Sequence, residues 1–451
     1  MAAITQNSAA MTATLWRGVV VGALAGLLFG FDTAVIAGTT EGLRHAFALN
    51  ATTLGITVSS ALWGTLLGAV TAGGPGDRYG ARACMRWVAA LYLLSGLGCL
   101  LAWRWDVLIT FRVLAGLAVG ASSVLAPVYI AEIAPPARRG ALVGGFQLAI
   151  VAGILVAYLS NYIIGTLDLG DWSWRVKFGV TALPALLLLL LLFTIPQSPR
   201  WLAQKGRRGE AAAVMCAIGV ADPPSEIDAL LRTSSVGTAR LSWIRHRRPI
   251  LLAVAVAGFN QLSGINAILY YLNDIFAAAG FSHVSADRQA IAIGGVNLVF
   301  TALALTAIDR LGRKTLLLIG SVGLATMLAG TAAVLSSGLH RDLLLWLLAG
   351  FIAFFAFSQG AVIWVYISEV FPTEVRSRGQ SLGASTHWFA DAVIATAFPL
   401  VAATSAGAPF AFFAAMMVVQ FVAVALTFPE TKQLVLDRNL PATAAPFREP
   451  T

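Results

Sequence analysis

The sequence predicts an all-α membrane protein of twelve transmembrane helices in two homologous six-helix halves, and three observations support this prediction. Of the 451 residues, 58% are hydrophobic and 11% are charged, whereas soluble domains carry about a quarter charged residues. Apolar runs of about twenty residues, which span a bilayer core as helices, recur along nearly the whole chain. Two motifs of the first half also return in the second half.

The apolar runs form two sets of six, separated by one long hydrophilic stretch. We expect a first half at 1–196, a helical cytoplasmic linker at 197–248 with an amphipathic segment near Glu210–Ile218, a second half at 249–432, and a cytoplasmic tail at 433–451. The expected spans are, in order, 15–37, 53–75, 85–104, 107–128, 141–164, 175–196, 249–278, 289–308, 315–336, 343–367, 380–402 and 409–428.

The internal repeat is visible in two unrelated motifs. Asp77–Gly80 follows the second span, and Asp309–Gly312 follows the eighth. Tyr129–Glu132 ends the fourth span, and Tyr366–Glu369 ends the tenth. Because both motifs recur at nearly one spacing, the halves are predicted to be homologous. Six-span repeats place a substrate site near the membrane midplane, opened to each side in turn.

The net charge of +9 is distributed as a topology signal. Arginines cluster in alternate loops and in the linker, which by the positive-inside bias places the linker and both termini in the cytoplasm of a multi-pass protein of the inner membrane. The basic residues are not interleaved with base-stacking aromatics, so no nucleic-acid partner is expected.

Catalytic and metal chemistry are not indicated. Cys84, Cys99 and Cys216 are scattered and form neither a disulfide framework nor a metal-ligand spacing. The sequence offers no nucleophile–base set, so neither an enzyme nor a cofactor is expected. The first apolar run lacks a basic region with a cleavage site and is read as a retained span.

Asp32 in the first span and Arg112 in the fourth are charges in otherwise apolar segments. A charge at the centre of a membrane helix costs about 2.5–3.5 kcal/mol, so the two are expected to pair. An Asp whose Arg partner moves during alternation can load and release a proton. Alternatively, the pair only locks two helices together.

Amides in apolar surroundings indicate a site for a neutral, hydroxyl-rich substrate. An amide facing lipid would be costly, so amides should face a cavity and hydrogen-bond hydroxyl groups there. The candidates are Gln147, Asn260, Gln261, Asn266 and Asn297. A lone membrane Asn can instead bridge helices, and this alternative stays open for Asn297.

Six motifs in order resemble the sugar porter family of the major facilitator superfamily, which includes bacterial proton-xylose symporters and mammalian facilitative glucose transporters. The similarity covers nearly the whole chain. The motifs are Gly30–Asp32, Gly73–Gly80, Pro127–Glu132, Pro196–Arg200, Gln261–Asn266 and Pro429–Lys432.

The resemblance implies roles for single residues. Symporters of the family carry an acid at the position of Asp32, whereas the facilitators carry an amide. The five amides match sugar-binding positions, and Asn260 stands where a Gln is usual. The remaining implied roles are aromatic sugar contacts at Phe29, Trp364 and Trp388 and an outer gate at Tyr270 and Tyr271. Gly264 and Gly360 permit local unwinding where helices bend around the substrate, and Gly360 is counted among the substrate-site residues. Close helix packing is the alternative for both glycines.

His387 and Asp391 depart from the family, which more often has an amide near each position. Their i, i+4 spacing places them on one helix face. They could add a second titrating site, modify the sugar contact, or form a satisfied pair on the helix surface.

A charged latch is expected at the cytoplasmic ends of both halves. Acids and bases there can bridge spans while the inner gate is closed, and opening must break them. The expected latch residues are Asp77, Arg78, Glu132 and Arg139, with their counterparts Asp309, Arg310, Glu369 and Arg376. The family usually has Arg at the position of Ala81 and Glu at the position of Gln197. The first-half latch is therefore expected to be weaker than is typical of the family.

The predicted function is proton-coupled symport of a monosaccharide, hexose or pentose, by a functional monomer in the lipid bilayer using alternating access. Asp32→Asn should abolish proton-driven accumulation while sparing exchange. The alternatives are a passive sugar uniporter, a drug or metabolite antiporter, and a membrane sugar sensor that does not transport.

Overall fold

The computed structural model describes residues 12–135, 138–233, 241–372 and 374–432, without the side chains of residues 233, 283 and 309. The tail predicted at 433–451 lies outside these residues. Within them, twelve helices are long and apolar enough to cross a membrane, and no strand occurs. The predicted fold class is therefore confirmed.

The first half contains the first six spans. Its helices are α1 (Ala13–Val35), α2 (Thr40–Phe47), α3 (Ala51–Thr71), α4 (Gly73–Tyr79), α5 (Ala81–Leu100), α6 (Trp105–Ile133), α7 (Arg139–Gly165), α8 (Ser173–Gly179) and α9 (Ala182–Leu191). Glycines let these helices pack closely, as small residues do in membranes. A Cβ on Gly116 of α6 would overlap the carbonyl of Ala61 in α3, and one on Gly153 of α7 would overlap that of Leu27 in α1.

Three short helices follow the first half, and the second half completes the bundle. The predicted amphipathic segment corresponds to the middle of these three helices. The helices are α10 (Pro199–Gln204), α11 (Arg208–Ala217), α12 (Pro223–Thr233), α13 (Arg247–Leu262), α14 (Ile265–Tyr270), α15 (Leu272–Ala278), α16 (His283–Leu311), α17 (Arg313–Ser337), α18 (Leu344–Phe357), α19 (Gln359–Val370), α20 (Arg376–Thr404) and α21 (Ala408–Thr427).

Two spans of the second half are broken within the bundle. In the seventh span, α13 ends at Leu262 and α14 begins after Gly264, whose φ is +81°. The tenth span breaks at Ser358, two residues before Gly360. Such breaks are tolerated in a membrane protein where they are buried or line a cavity.

We expect Gly264→Ala to destabilise the fold. The left-handed backbone costs a non-glycine residue about 1–3 kcal/mol, and a Cβ here would also overlap the Phe413 ring. The matched control is Gly258→Ala, because Gly258 lies inside α13 and a Cβ there meets nothing within 4 Å. Thermal unfolding in detergent should give a lower midpoint for Gly264→Ala alone; equal midpoints would contradict the argument.

The two halves meet most closely at one end of the bundle. We call the end that carries α10–α12 the linker side and the opposite end the far side. At the far side, α3 packs on α20, where Gly55 adjoins Thr396, and α7 packs on α16. The Tyr158 hydroxyl of the first half donates to the Leu269 carbonyl of the second at 3.1 Å. The far side is therefore closed.

Candidate functional site

A small cavity lies between the halves and is partly open to solvent. It combines an ion pair, two aromatic side chains and small or branched residues. Its lining consists of Asp32, Thr33, Ile36, Val58, Ala61, Leu62, Thr65, Arg112, Val119, Tyr270 and Trp388. Both halves therefore contribute, because Tyr270 and Trp388 belong to the second.

The structure brings the two predicted intramembrane charges together. Arg112 Nη1 of α6 donates to Asp32 Oδ1 of α1 at 3.1 Å, and the side chains are 3% and 7% exposed. The guanidinium carbon of Arg112 also lies 5.2 Å from the centre of the Phe178 ring. Arg112 Nε is buried without a hydrogen-bond partner. The charges neutralise each other in a site from which water is largely excluded, where breaking one partner is costly.

The helix break at Gly264 brings together amides that a straight helix would separate. Gln261 lies in the last turn of α13 and Asn266 in the first turn of α14, and Asn266 Nδ2 lies 3.4 Å from Gln261 Oε1. Gln261 Nε2 lies 3.0 Å from His387 Nε2 of α20. Two predicted sugar-binding amides and His387 therefore form one hydrogen-bonded cluster.

Asp391 continues this cluster one turn further along α20. Its Oδ2 accepts hydrogen bonds from Asn266 Nδ2 at 2.9 Å and from the Tyr270 hydroxyl at 3.1 Å. Its Oδ1 is buried without a partner. Asp391 is only 1% exposed, so it is not part of a helix-surface pair.

Aromatic rings adjoin the amide cluster. The Trp388 ring centre lies 5.7 Å from that of Phe29 and 4.9 Å from that of His387, and the Trp364 ring centre lies 5.1 Å from that of His387. Trp364 remains 38% exposed. Apolar faces next to amides suit a molecule with both C–H faces and hydroxyl groups.

The two tyrosines predicted as an outer gate lie between the cluster and the far side. Both are buried. The Tyr271 hydroxyl donates to the Ala395 carbonyl at 2.9 Å, and its ring stacks on Phe398 at 5.1 Å. Tyr270 instead donates to Asp391 and lines the cavity. Tyr270 thus connects the cavity with the amide cluster.

The other predicted sugar contacts lie apart from the hydrogen-bonded cluster. Asn260 is buried, and its Nδ2 has no partner. Asn297 is buried, and its Oδ1 lies 3.4 Å from the Thr301 hydroxyl on the same helix. Gln147 of α7 and Gly360 of α19 are half-buried.

At the linker side of the second half, a charged network joins three helix ends. Arg313 binds Glu369 through two hydrogen bonds of 2.9 and 3.2 Å, and the Thr431 hydroxyl donates to Glu369 at 2.6 Å. Arg313 was not among the predicted latch residues. Partial burial acts to raise the pKa of Glu430, but backbone N–H donors from Arg313, Lys432, Lys314 and Thr431 outweigh it and hold that pKa below its ordinary value.

In the first half, two charged members of this network are replaced by neutral residues. Ala81 occupies the position of Arg313 after the repeated glycine, and Gln197 occupies that of Glu430. Gln197 Oε1 accepts from the Arg82 backbone N–H at 3.3 Å, and its Nε2 donates to the Tyr79 carbonyl at 3.1 Å.

The remaining predicted latch residues are placed as follows. Glu132, Glu369 and Arg376 are half-buried, and Asp77, Arg78, Arg139 and Arg310 are exposed. The Asp309 side chain lies outside the described part of the structure.

Two ion pairs between the halves at the far side were missed by the sequence analysis. Lys177 Nζ of α8 lies 3.6 Å from Asp287 Oδ2 of α16, with side chains 7% and 5% exposed. Lys177 also donates to the Gly38 carbonyl at 2.8 Å, and Asn273 donates to Asp287 at 2.5 Å. Arg44 Nη2 of α2 lies 3.2 Å from Asp274 Oδ1 of α15 in a more exposed setting. A lone Lys in the sixth apolar run was the available signal.

Comparison with known proteins gives one consistent picture. The family described as Sugar (and other) transporter matches residues 18–439. A glucose transport protein of Synechocystis sp. is 36% identical over 447 residues, which cover 93% of this chain and 95% of that protein. The D-xylose-proton symporter of Escherichia coli is 33% identical, with 84% of each chain covered, and the arabinose-proton symporter of Bacillus subtilis is 33% identical, with 92% of each covered.

Solved structures agree with these matches. The partially occluded inward-open conformation of the xylose transporter from Escherichia coli superposes with a TM-score of 0.85 at 31% identity, covering 94% of this chain and 100% of that one. The same transporter bound to 6-bromo-6-deoxy-D-glucose gives a TM-score of 0.76, covering 93% and 97%. The present structure is therefore more similar to the partially occluded inward-open conformation than to the form bound to 6-bromo-6-deoxy-D-glucose. The closed far side agrees with this.

Proposed function

Because this chain belongs to the sugar porter family of the major facilitator superfamily, we propose that it carries a monosaccharide, hexose or pentose, together with protons across the membrane. The observation that carries the proposal is the buried pair of Asp32 and Arg112, which borders the cavity shared by the two halves. The relatives named as proton symporters support the same reading.

Sugar binding is supported by the chemistry of the cluster beside the cavity. Gln261 and Asn266 supply amide donors and acceptors, and Trp388 and Phe29 supply ring faces. Ligand sites combine such apolar walls with a few placed polar groups. We assign Gln147, Asn260 and Asn297 to the same site from their matching positions in the family.

Proton coupling is supported by the ion pair at Asp32. A proton on Asp32 would cancel the negative charge that holds Arg112. Protonation of Asp32 would therefore loosen the contact between α1 and α6. Arg112 would then carry a buried charge without its anion, which favours a rearrangement that gives it another partner. Protonation can thereby bias the equilibrium between two conformations.

The orientation follows from the closed far side and the distribution of arginines. We propose that the linker side and both termini face the cytoplasm and that the far side faces the exterior of the inner membrane. The present conformation is then inward-facing. Tyr270, Tyr271 and the far-side ion pairs close the outer entrance, and a monomer contains the complete pathway.

The test is uptake into proteoliposomes of labelled glucose, xylose, galactose, arabinose, fructose and inositol, with and without an inward proton gradient. We expect one sugar to accumulate above equilibrium and a protonophore to collapse the accumulation. Uptake that only equilibrates would reassign the protein as a facilitator. No uptake of any sugar would favour a sensor or a transporter of another substrate.

A further inference from the structure

Asp391 is a second buried acid near the cavity, and the proposed mechanism does not use it. No Lys, Arg or His nitrogen of the described residues lies within 4.0 Å of its carboxylate. Its two protein partners, the Asn266 amide and the Tyr270 hydroxyl, are neutral. A buried carboxylate without a cation is unfavourable unless hydrogen bonds or a proton compensate the charge.

The hydrogen bonds of Asp391 leave one carboxylate oxygen free to carry a proton. Both donors reach Oδ2, and Oδ1 has no partner. A carboxylic acid accepts through its carbonyl oxygen and carries its proton on the other oxygen. Oδ2 therefore fits the carbonyl oxygen, and Oδ1 is the place for the proton.

The ionisable groups around Asp391 are few. Its own helix contributes His387, whereas Arg376 and Arg378 lie at the start of that helix. The helix α14 and the residue that follows it contribute Tyr270 and Tyr271, and Tyr270 borders the cavity that holds Asp32 and Arg112. The helices α3 and α21, which also pack on α20, contain no ionisable side chain. The ionisable residues of α13 and α19 lie elsewhere: Arg247 and Arg248 start α13, and Tyr366 and Glu369 belong to the linker-side half of α19.

We propose that Asp391 is a second proton-binding group and that the transporter moves two protons with each sugar. This inference rests on the proposed function. The link to the sugar is Asn266, whose Nδ2 donates both to Asp391 and to Gln261 and so has no free N–H. A sugar hydroxyl that accepts a hydrogen bond from Asn266 must therefore displace either Asp391 or Gln261 as the acceptor of one N–H. When the sugar takes the N–H that faces Asp391, the ionised form of Asp391 loses a donor and is disfavoured, so sugar and proton bind together.

The decisive experiment measures the sugar gradient that balances a proton gradient. Proteoliposomes hold a difference of one pH unit, alkaline inside, with valinomycin and equal potassium keeping the membrane potential at zero. Each proton then contributes a factor of about ten to the inside-to-outside sugar ratio at zero net flux. We expect a ratio of about 100 for the wild type and about 10 for Asp391→Asn.

Two comparisons separate the possible outcomes. Asp106→Asn makes the same acid-to-amide change at an exposed position outside the site and should keep the two-proton ratio. A wild-type ratio of about 10 overturns the inference but leaves the proposed function intact, and it needs no variant. A ratio of one overturns both. An Asp391→Asn protein that keeps the two-proton ratio and changes only sugar preference would make Asp391 a sugar contact instead.

Discussion

Asp32→Asn is expected to lower the sugar accumulation that a pH gradient sustains by about tenfold per pH unit, which is the whole contribution of one proton. Asn reproduces the neutral charge of a protonated Asp32, so the variant behaves as if permanently loaded at this position. Arg112 then lacks its anion throughout the cycle. If Asp32 is the single coupling group, the variant equilibrates sugar, and if Asp391 is a second one, about tenfold accumulation remains.

The control for this variant is sugar exchange between equal concentrations, which needs no net proton movement and should persist. Asp106→Asn serves as a matched acid-to-amide change, because the Asp106 side chain is exposed and its carboxylate pairs with the exposed Arg104. Accumulation in Asp32→Asn equal to that of the wild type would remove Asp32 from the coupling mechanism. The double variant Asp32→Asn/Asp391→Asn is expected to equilibrate sugar.

The fold could be predicted from sequence because lipid leaves few alternatives. Apolar runs must become helices, and repeated motifs such as those ending in Gly80 and Gly312 reveal the two halves. The breaks within spans were harder to place. Gly264 indicated one correctly, since only glycine adopts its backbone conformation easily. In the tenth span the break lies at Ser358 and not at Gly360. The sequence could not place it, because no local residue type specifies where packing interrupts that helix.

The contents of the site could be predicted in part. Asp32 and Arg112 were paired correctly, because two isolated charges in apolar helices have little choice of partner. Contacts across long sequence separations were not accessible. Nothing in the spacing of Asn266 and Asp391 indicates that they share a hydrogen bond. Arg313, which binds Glu369, was not among the predicted latch residues. Such pairings depend on helix rotation, which periodicity alone does not determine.

The far-side contact between Lys177 and Asp287 carries the second large prediction. The pair joins the two halves and is nearly inaccessible to water. Removing one partner of such a pair costs about 3–5 kcal/mol, because the other charge stays buried. Lys177→Met should therefore destabilise the closed far side by more than a hundredfold in the equilibrium constant, provided that Asp287 becomes hydrated when this side opens. Lys177→Met/Asp287→Leu should largely restore closure, since an apolar pair of similar size can replace a buried ion pair.

Electron–electron distance measurements across the far side can follow this equilibrium. Spin labels at Leu167 and Leu343, both exposed there on opposite halves, should report a longer distance in Lys177→Met and a distance close to the wild type in the double variant. The labelled background replaces Cys84, Cys99 and Cys216. Arg44→Met is the matched control, because its pair with Asp274 is 45% and 21% exposed and such pairs contribute about 0–1 kcal/mol. If Lys177→Met leaves the distance as unchanged as Arg44→Met does, the buried pair only fills space between the halves. Closure of the far side then depends on the apolar packing of α3 on α20.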